Sequence, residues 1–129
     1  MKYYIVDTHA LVWRLLQSKK LSIKANKAFT EGIEGKTSLI IPAIVLLEVM
    51  SVLEKYGMED RFLEILDDIE RTPMYEICSI NIEVLRETAK IKDIEELHDR
   101  VIVAIARMKN AAIITKDREI RNVYPKTIW

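Results

Sequence analysis

Cysteine, proline, glycine and histidine are all scarce in this chain of 129 residues. The single cysteine, Cys78, excludes an intramolecular disulfide. Set in the apolar run YEICSI, it reads as a small buried hydrophobe. With two histidines beside it, the chain lacks the Cys/His cluster of a structural zinc site. Three glycines and three prolines punctuate the sequence, so its loops should be short. No repeat, low-complexity stretch or linker divides it, and it reads as one domain over residues 1–129. Neither charge is in excess: 20 basic residues balance 20 acidic ones, so any polyanion site must be built from local charge. No apolar run is long enough for a bilayer. The longest, Leu39 to Leu53, falls short of the roughly 20 residues required and contains Glu48. Met1 to Val6 is too short for a signal-peptide core and is interrupted by Asp7. The chain therefore reads as cytoplasmic, with no membrane partner.

What is present is apolar residues in short blocks. Half the residues are hydrophobic and 31% are charged, as in an ordinary globular protein. KYYIV (Lys2 to Val6), SLII (Ser38 to Ile41), MYEICSI (Met74 to Ile80) and AAIIT (Ala111 to Thr115) read as strands, and TIW at the end as a short edge strand. Between them lie helical patterns. The first carries Leu11, Val12, Leu15 and Leu16. The second starts at Ser22, with Ile23, Ala25, Ala28 and Phe29 as core contacts and Gly32 and Gly35 at its end. A helix opening at Pro42 and closing at Gly57 is apolar all round, which predicts central burial. Further helices place Phe62, Ile65, Leu66 and Ile69 on one stripe before Pro73, start at Asn81, and start again at His98 or Asp99. Continuous apolar strands alternating with helices predict an α/β fold with a parallel sheet covered on both faces. Ligands of such sheets bind beyond the carboxyl ends of the strands.

Four acids stand where that rim is expected. Asp7 follows the first strand and Asp117 the fourth. Asp99 opens the helix leading into the fourth strand, and Glu48 lies in the second turn of the helix leaving the second. Asp7, Asp99 and Asp117 could each serve simply as a helix N-cap, worth about 1 kcal/mol apiece. Capping does not explain Glu48, which sits among Leu46, Leu47, Val49 and Met50 with no basic partner three or four residues away. Four carboxylates brought together would raise one another's pKa values, and a hard divalent cation relieves that conflict. Mg²⁺ or Mn²⁺ in an all-oxygen site suits phosphoryl chemistry.

The segments IVDTHALVW, IPAIVLLEV, ELHDRVIVAIA and IITKDREI resemble, in order and spacing, the successive acidic motifs of PIN-domain nucleases, VapC-type toxins among them. The resemblance covers nearly the whole chain. It implies a sheet of strand order 3-2-1-4-5 and a metal-binding cluster of Asp7, Glu48, Asp99 and Asp117. Thr115 matches the family's hydroxyl residue that helps hold the site, and Thr8 the small hydroxyl residue after the first acid. The implied reaction is hydrolysis of RNA phosphodiesters by an activated water, leaving a 5′-phosphate and a 3′-hydroxyl. Asp7 and Asp99 are then the expected direct ligands, with Glu48 and Asp117 ligating directly, ligating through water, or orienting the nucleophile. The resemblance also implies a small antitoxin partner and a homodimer.

The substrate side rests on charge alone. Arg14, Arg100, Lys116, Arg118 and Arg121 flank the acidic motifs and could reach phosphates, while Lys19, Lys20, Lys24 and Lys27 form a basic stretch that also suits a solvated face. Trp13 reads as a packing residue rather than a base platform, and His98 as structural. Two other functional classes stay open: a PIN-like module that binds RNA or protein without cutting it, and a phosphoacceptor or phosphatase fold. His9 stands where an Asp-x-Asp-x-Thr phosphatase signature needs its second acid. A housekeeping RNA-processing nuclease would keep the chemistry of a toxin.

Overall fold

A computed structural model of the protein describes residues 2–129; Met1, which the expected domain span includes, lies outside the described residues. The chain alternates strand and helix. Strand β1 (Lys2–Val6) is followed by α1 (Thr8–Leu15) and α2 (Ile23–Ile33), then β2 (Thr37–Pro42) and α3 (Ala43–Lys55). A single 3-10 turn, Glu59–Arg61, leads into α4 (Phe62–Arg71), β3 (Tyr75–Cys78), α5 (Ile82–Ala89) and α6 (Leu97–Lys109). Strand β4 (Ala112–Ile114), α7 (Arg118–Val123) and β5 (Thr127–Ile128) complete the order.

The five strands form one sheet in the order β3-β2-β1-β4-β5, with every pair parallel. This is the expected order. Ile5 is paired with Ile40 on one side and Ile113 on the other. Successive strand residues point to opposite faces. Tyr4, Ile5 and Val6 are all buried, as are Leu39, Ile40 and Ile41, so helices must cover both faces of the sheet. After β1 the chain builds outward to β2 and β3, then returns to place β4 on β1's other side. The strand order therefore reverses at β1, and the crevice of the fold opens at the carboxyl ends of β1 and β4.

Local chemistry sets most helix boundaries. The Ser22 hydroxyl accepts from Ala25 N–H at 3.0 Å, and the Asn81 side chain accepts from Val84 N–H at 3.0 Å, capping α2 and α5. Gly35 (φ +75°) and Gly57 (φ +66°) take the left-handed backbone that follows α2 and α3.

Several expectations are corrected. Ile23 is 90% exposed, because at about 100° per residue it lies on the face of α2 opposite the buried Ala25, Ala28 and Phe29. Gly32 does not end α2 but lies within it. A Cβ there would stand 3.1 Å from the Leu39 side chain and from Met74 Sδ, so the glycine lets the helix approach β2. Leu16 is the exposed C-cap of α1, one residue past the helix. α3 is not buried all round: Val45, Leu46, Val49 and Leu53 face the core, while Leu47 is 55% exposed. Cys78 is only half-buried, because β3 is an edge strand with Glu76 and Ile77 open to solvent. α6 begins at Leu97, which places Asp99 third in the helix rather than at its cap.

Candidate active site

Asp7 occupies the switch point itself. Its N–H donates to the Ile114 carbonyl at 3.1 Å, extending the β1–β4 ladder by one rung. Its carboxylate then turns over the end of the sheet. One oxygen accepts from Thr8 N–H at 2.7 Å, and the other accepts from the Thr115 hydroxyl at 2.5 Å. Asp7 is 8% exposed and Thr115 1%. The Thr115 oxygen also accepts from Asp117 N–H at 3.0 Å, and the Asp117 carboxylate caps α7 by accepting from Ile120 N–H at 3.0 Å. A continuous chain of bonds thus ties the ends of β1 and β4 together. Capping is a true property of Asp7 and Asp117, but in Asp7 it engages only one of two carboxylate oxygens.

Glu48 arrives from α3. The Thr8 hydroxyl donates to one of its oxygens at 3.0 Å, so the residue after Asp7 holds the next acid in place. The other oxygen lies 3.7 Å from His98 Nδ1, and His98 is also 3.4 Å from Glu96. The side chain of Glu48 is 31% exposed, so the lone acid of the apolar stretch is half-buried at the rim rather than sealed in the core. Its partners are on other elements, which is why no pairing is visible within its own helix. Asp99, half-buried in the first turn of α6, receives no hydrogen bond among the described residues.

The electrostatics show that these acids feel one another. The Asp99 pKa is pushed up to about 7, first by burial and then by repulsion from Asp117, Asp7, Glu96 and Glu48. Burial raises Asp7 as well, opposed by its bonds from Thr115 and Thr8 and reinforced by Asp117. Glu48 is raised by burial, opposed by Thr8 and His98, and raised further by Asp7 and Glu96. All four expected acids therefore share one region of negative potential. Glu96, at the N-cap of α6, is a fifth acid that sequence reasoning did not single out. Its place three residues before Asp99 was the available signal. Among the described residues, no three acid, imidazole or thiol side chains yet converge as a closed ligand set.

The basic residues divide. Lys116 lies with its ammonium 4.8 Å from the Trp13 ring centre, and Arg118 lines a cleft with Lys116 and Arg121. Arg14 and Arg100, expected to reach phosphates, are committed elsewhere. Arg14 donates to Asn26 at 2.5 Å and lies over Phe29, because it stands about 120° round α1 from Thr8 and so faces α2. Arg100 donates to the Ile94 and Glu95 carbonyls at 2.6 and 2.8 Å, pinning the loop before α6.

A five-stranded parallel sheet with acids gathered at its switch point defines an α/β domain of a recognisable nuclease-bearing class. The chain belongs to the PIN domain family, whose model matches residues 4–126. PIN domains are generally nucleases that use divalent metal ions. Solved structures share the fold. One is VapBC2 from Rickettsia felis bound to a promoter DNA fragment: TM-score 0.73, 16% identity, 98% of this chain and 99% of that one covered. Another is a toxin–antitoxin complex from Klebsiella pneumoniae: TM-score 0.69, 21% identity, coverage 98% and 96%. A third is DNA-bound VapBC from Salmonella typhimurium: TM-score 0.70, 17% identity, coverage 94% and 92%. No curated protein matches significantly by sequence. Among the described residues, no helix is long and apolar enough to cross a membrane.

Proposed function

We propose that this chain is a Mg²⁺- or Mn²⁺-dependent ribonuclease, a single PIN-like domain over residues 1–129, and the toxin of a toxin–antitoxin pair. The observation that carries the reading is the gathering of Asp7, Glu48, Asp99 and Asp117 at one rim, where Asp7, Glu48 and Asp99 are shifted toward their neutral forms. The donor set is all oxygen, mutually repulsive and edged by hydroxyls, which fits a hard divalent cation and no softer one. Asp7 and Asp99 are the direct ligands in this reading, joined by Glu48 and Asp117 directly or through water. The ion would neutralise the site, polarise a phosphodiester and lower the pKa of water.

The protein's own part is orientation. Thr115 and the Thr8 amide hold both Asp7 oxygens, leaving the outer lone pair of each free. The Thr8 hydroxyl orients Glu48, and Lys116 and Arg118, which flank Asp117 in sequence, supply positive charge for the phosphate backbone. Attack of water on phosphorus leaves a 5′-phosphate and a 3′-hydroxyl. The toxin role draws on the shared fold with toxin–antitoxin complexes, and with it come a small antitoxin partner, a homodimer and a cytoplasmic location.

Purified protein incubated with mixed RNA and Mn²⁺ tests the chemistry. Cleavage should require the metal, yield 5′-phosphate ends, and vanish in Asp7→Asn. RNA bound but uncut by the native protein under these conditions would overturn the enzyme and leave a binding module.

A further inference from the structure

Beyond the acids, α1 and the end of α3 border a cleft of about 690 Å³. Its lining includes two large aromatic rings, Trp13 and Tyr56, and two lysines, Lys20 and Lys55, beside His9, with no carboxylate among the lining residues. The cleft shares His9, Val52 and Lys55 with a second one lined by Thr8, Glu48 and His98, so a continuous groove leads off the acidic rim. In a chain with no net charge this is a concentration of one sign. Neither Lys20 nor Lys55 makes an ion pair among the described residues.

Trp13 is the centre of the cluster. It is half-buried, with His9 at 5.5 Å and Trp129 at 5.8 Å between ring centres, and with the ammonium groups of Lys20 and Lys116 at 5.8 and 4.8 Å. Tyr56 is 73% exposed at the C-cap of α3, where the core makes no use of its ring. Solvent-accessible aromatics set in a basic groove, here exposed Tyr56 and the open part of half-buried Trp13, are what a single-strand track needs, bases stacking while cations follow the backbone. A lysine over a ring can yield that face to a base and swing its ammonium to the adjoining phosphate on a flexible stem.

We propose that this groove carries single-stranded RNA flanking the scissile phosphate, with bases stacked on Trp13 and Tyr56 and Lys20 and Lys55 on phosphates. The proposal rests on the ribonuclease reading. Continuity with the acidic rim favours a nucleic acid over a protein helix, since a strand whose phosphate lies at the acids must leave along some path. The assignment makes Trp13 more than a packing residue.

The test is anisotropy of a labelled single-stranded RNA of on the order of ten nucleotides, titrated in EDTA so that it is not cut. Tyr56→Ala, an exposed truncation, should weaken binding about tenfold. The double variant K20A/K55A should flatten the slope of log affinity against log salt by about 1.4, two phosphate contacts' worth for a single strand. A duplex of the same sequence should compete poorly, because its bases are stacked on one another. If all variants bind as the native protein does and Mn²⁺-dependent cleavage persists, the track is overturned, the ribonuclease reading stands, and the groove passes to a protein partner. If the native protein neither binds nor cuts single-stranded RNA, both fall.

Discussion

The acidic rim is built in two different ways. On the sheet side, Asp7, Thr115 and Asp117 are locked into strand ends and a helix cap by a chain of hydrogen bonds, and Asp7 and Thr115 are almost wholly buried. On the helix side, Glu48 has one hydroxyl donor and Asp99 has none, and both are half-buried. The sheet side is therefore preorganised, its carboxylate orientations set by backbone that cannot move without breaking the ladder. The helix side is held mainly by the packing of α3 and α6, and its charge is opposed by its neighbours. A site made this way has a fixed jaw and an adjustable one, with the stored repulsion concentrated in the adjustable one.

Three experiments would break or sharpen that contrast. The largest effect is expected on the fixed side. Thr115→Val removes the donor to a buried carboxylate and the acceptor of Asp117 N–H. It should lower stability by about 1–3 kcal/mol and cut metal affinity or cleavage about 10–100-fold. Urea denaturation and an Mn²⁺ titration would measure the two, and a native-like result in both would show that the fixed jaw is not fixed by this hydroxyl.

The adjustable side should respond to pH. The folded-state pKa of Asp99 is raised to about 7 from an ordinary value of 3.8, so the folded protein holds a proton that the unfolded chain releases. Metal-free stability should therefore fall as pH rises from about 4 through about 7. After allowance for solvent screening the loss is about 1–2 kcal/mol, read as a lower melting temperature at pH 8 than at pH 5 in EDTA. Asp99→Asn should flatten that dependence, and saturating Mn²⁺ should reverse it in the native protein. A melting temperature that rises over this window would show that the acids do not repel as placed.

The smallest stability effect is expected for Glu48→Gln, whose amide oxygen can still accept from Thr8. Mn²⁺ binding and RNA cleavage should weaken, while metal-free stability stays equal or rises because a like charge is gone. Loss of stability with unchanged Mn²⁺ affinity would instead make the Glu48–His98 contact a structural ion pair.

Where the acids emerge was largely legible from the order of strands and helices. A residue within a few positions after a buried parallel strand emerges at the sheet's carboxyl edge, which covers Asp7 and Asp117. Glu48 stood out because no local role accounted for it. The basic residues were not legible in the same way. Arg14, Arg100 and Lys116 all adjoin acidic motifs in sequence, yet Arg14 turns to Asn26 and Phe29, Arg100 to the loop before α6, and Lys116 to the Trp13 ring. One step round a helix turns a side chain by about 100°, and a long flexible arginine takes whichever carbonyl or ring it meets. Trp13 packs against the core as expected, but the rest of its surroundings were not legible, for the complementary reason. Its neighbours Lys20, Tyr56, Lys116 and Trp129 come from four other parts of the chain.

By itself, then, the sequence determined the alternation of elements, the parallel sheet and the end of the sheet at which Asp7 and Asp117 emerge, because burial and periodicity are properties of short segments. Tertiary structure alone decided which carboxylates the Thr8 and Thr115 hydroxyls engage, that Glu96 and His98 join the rim, and that a basic, aromatic groove runs away from it. Those are contacts between residues up to 108 positions apart, and no local pattern encodes them.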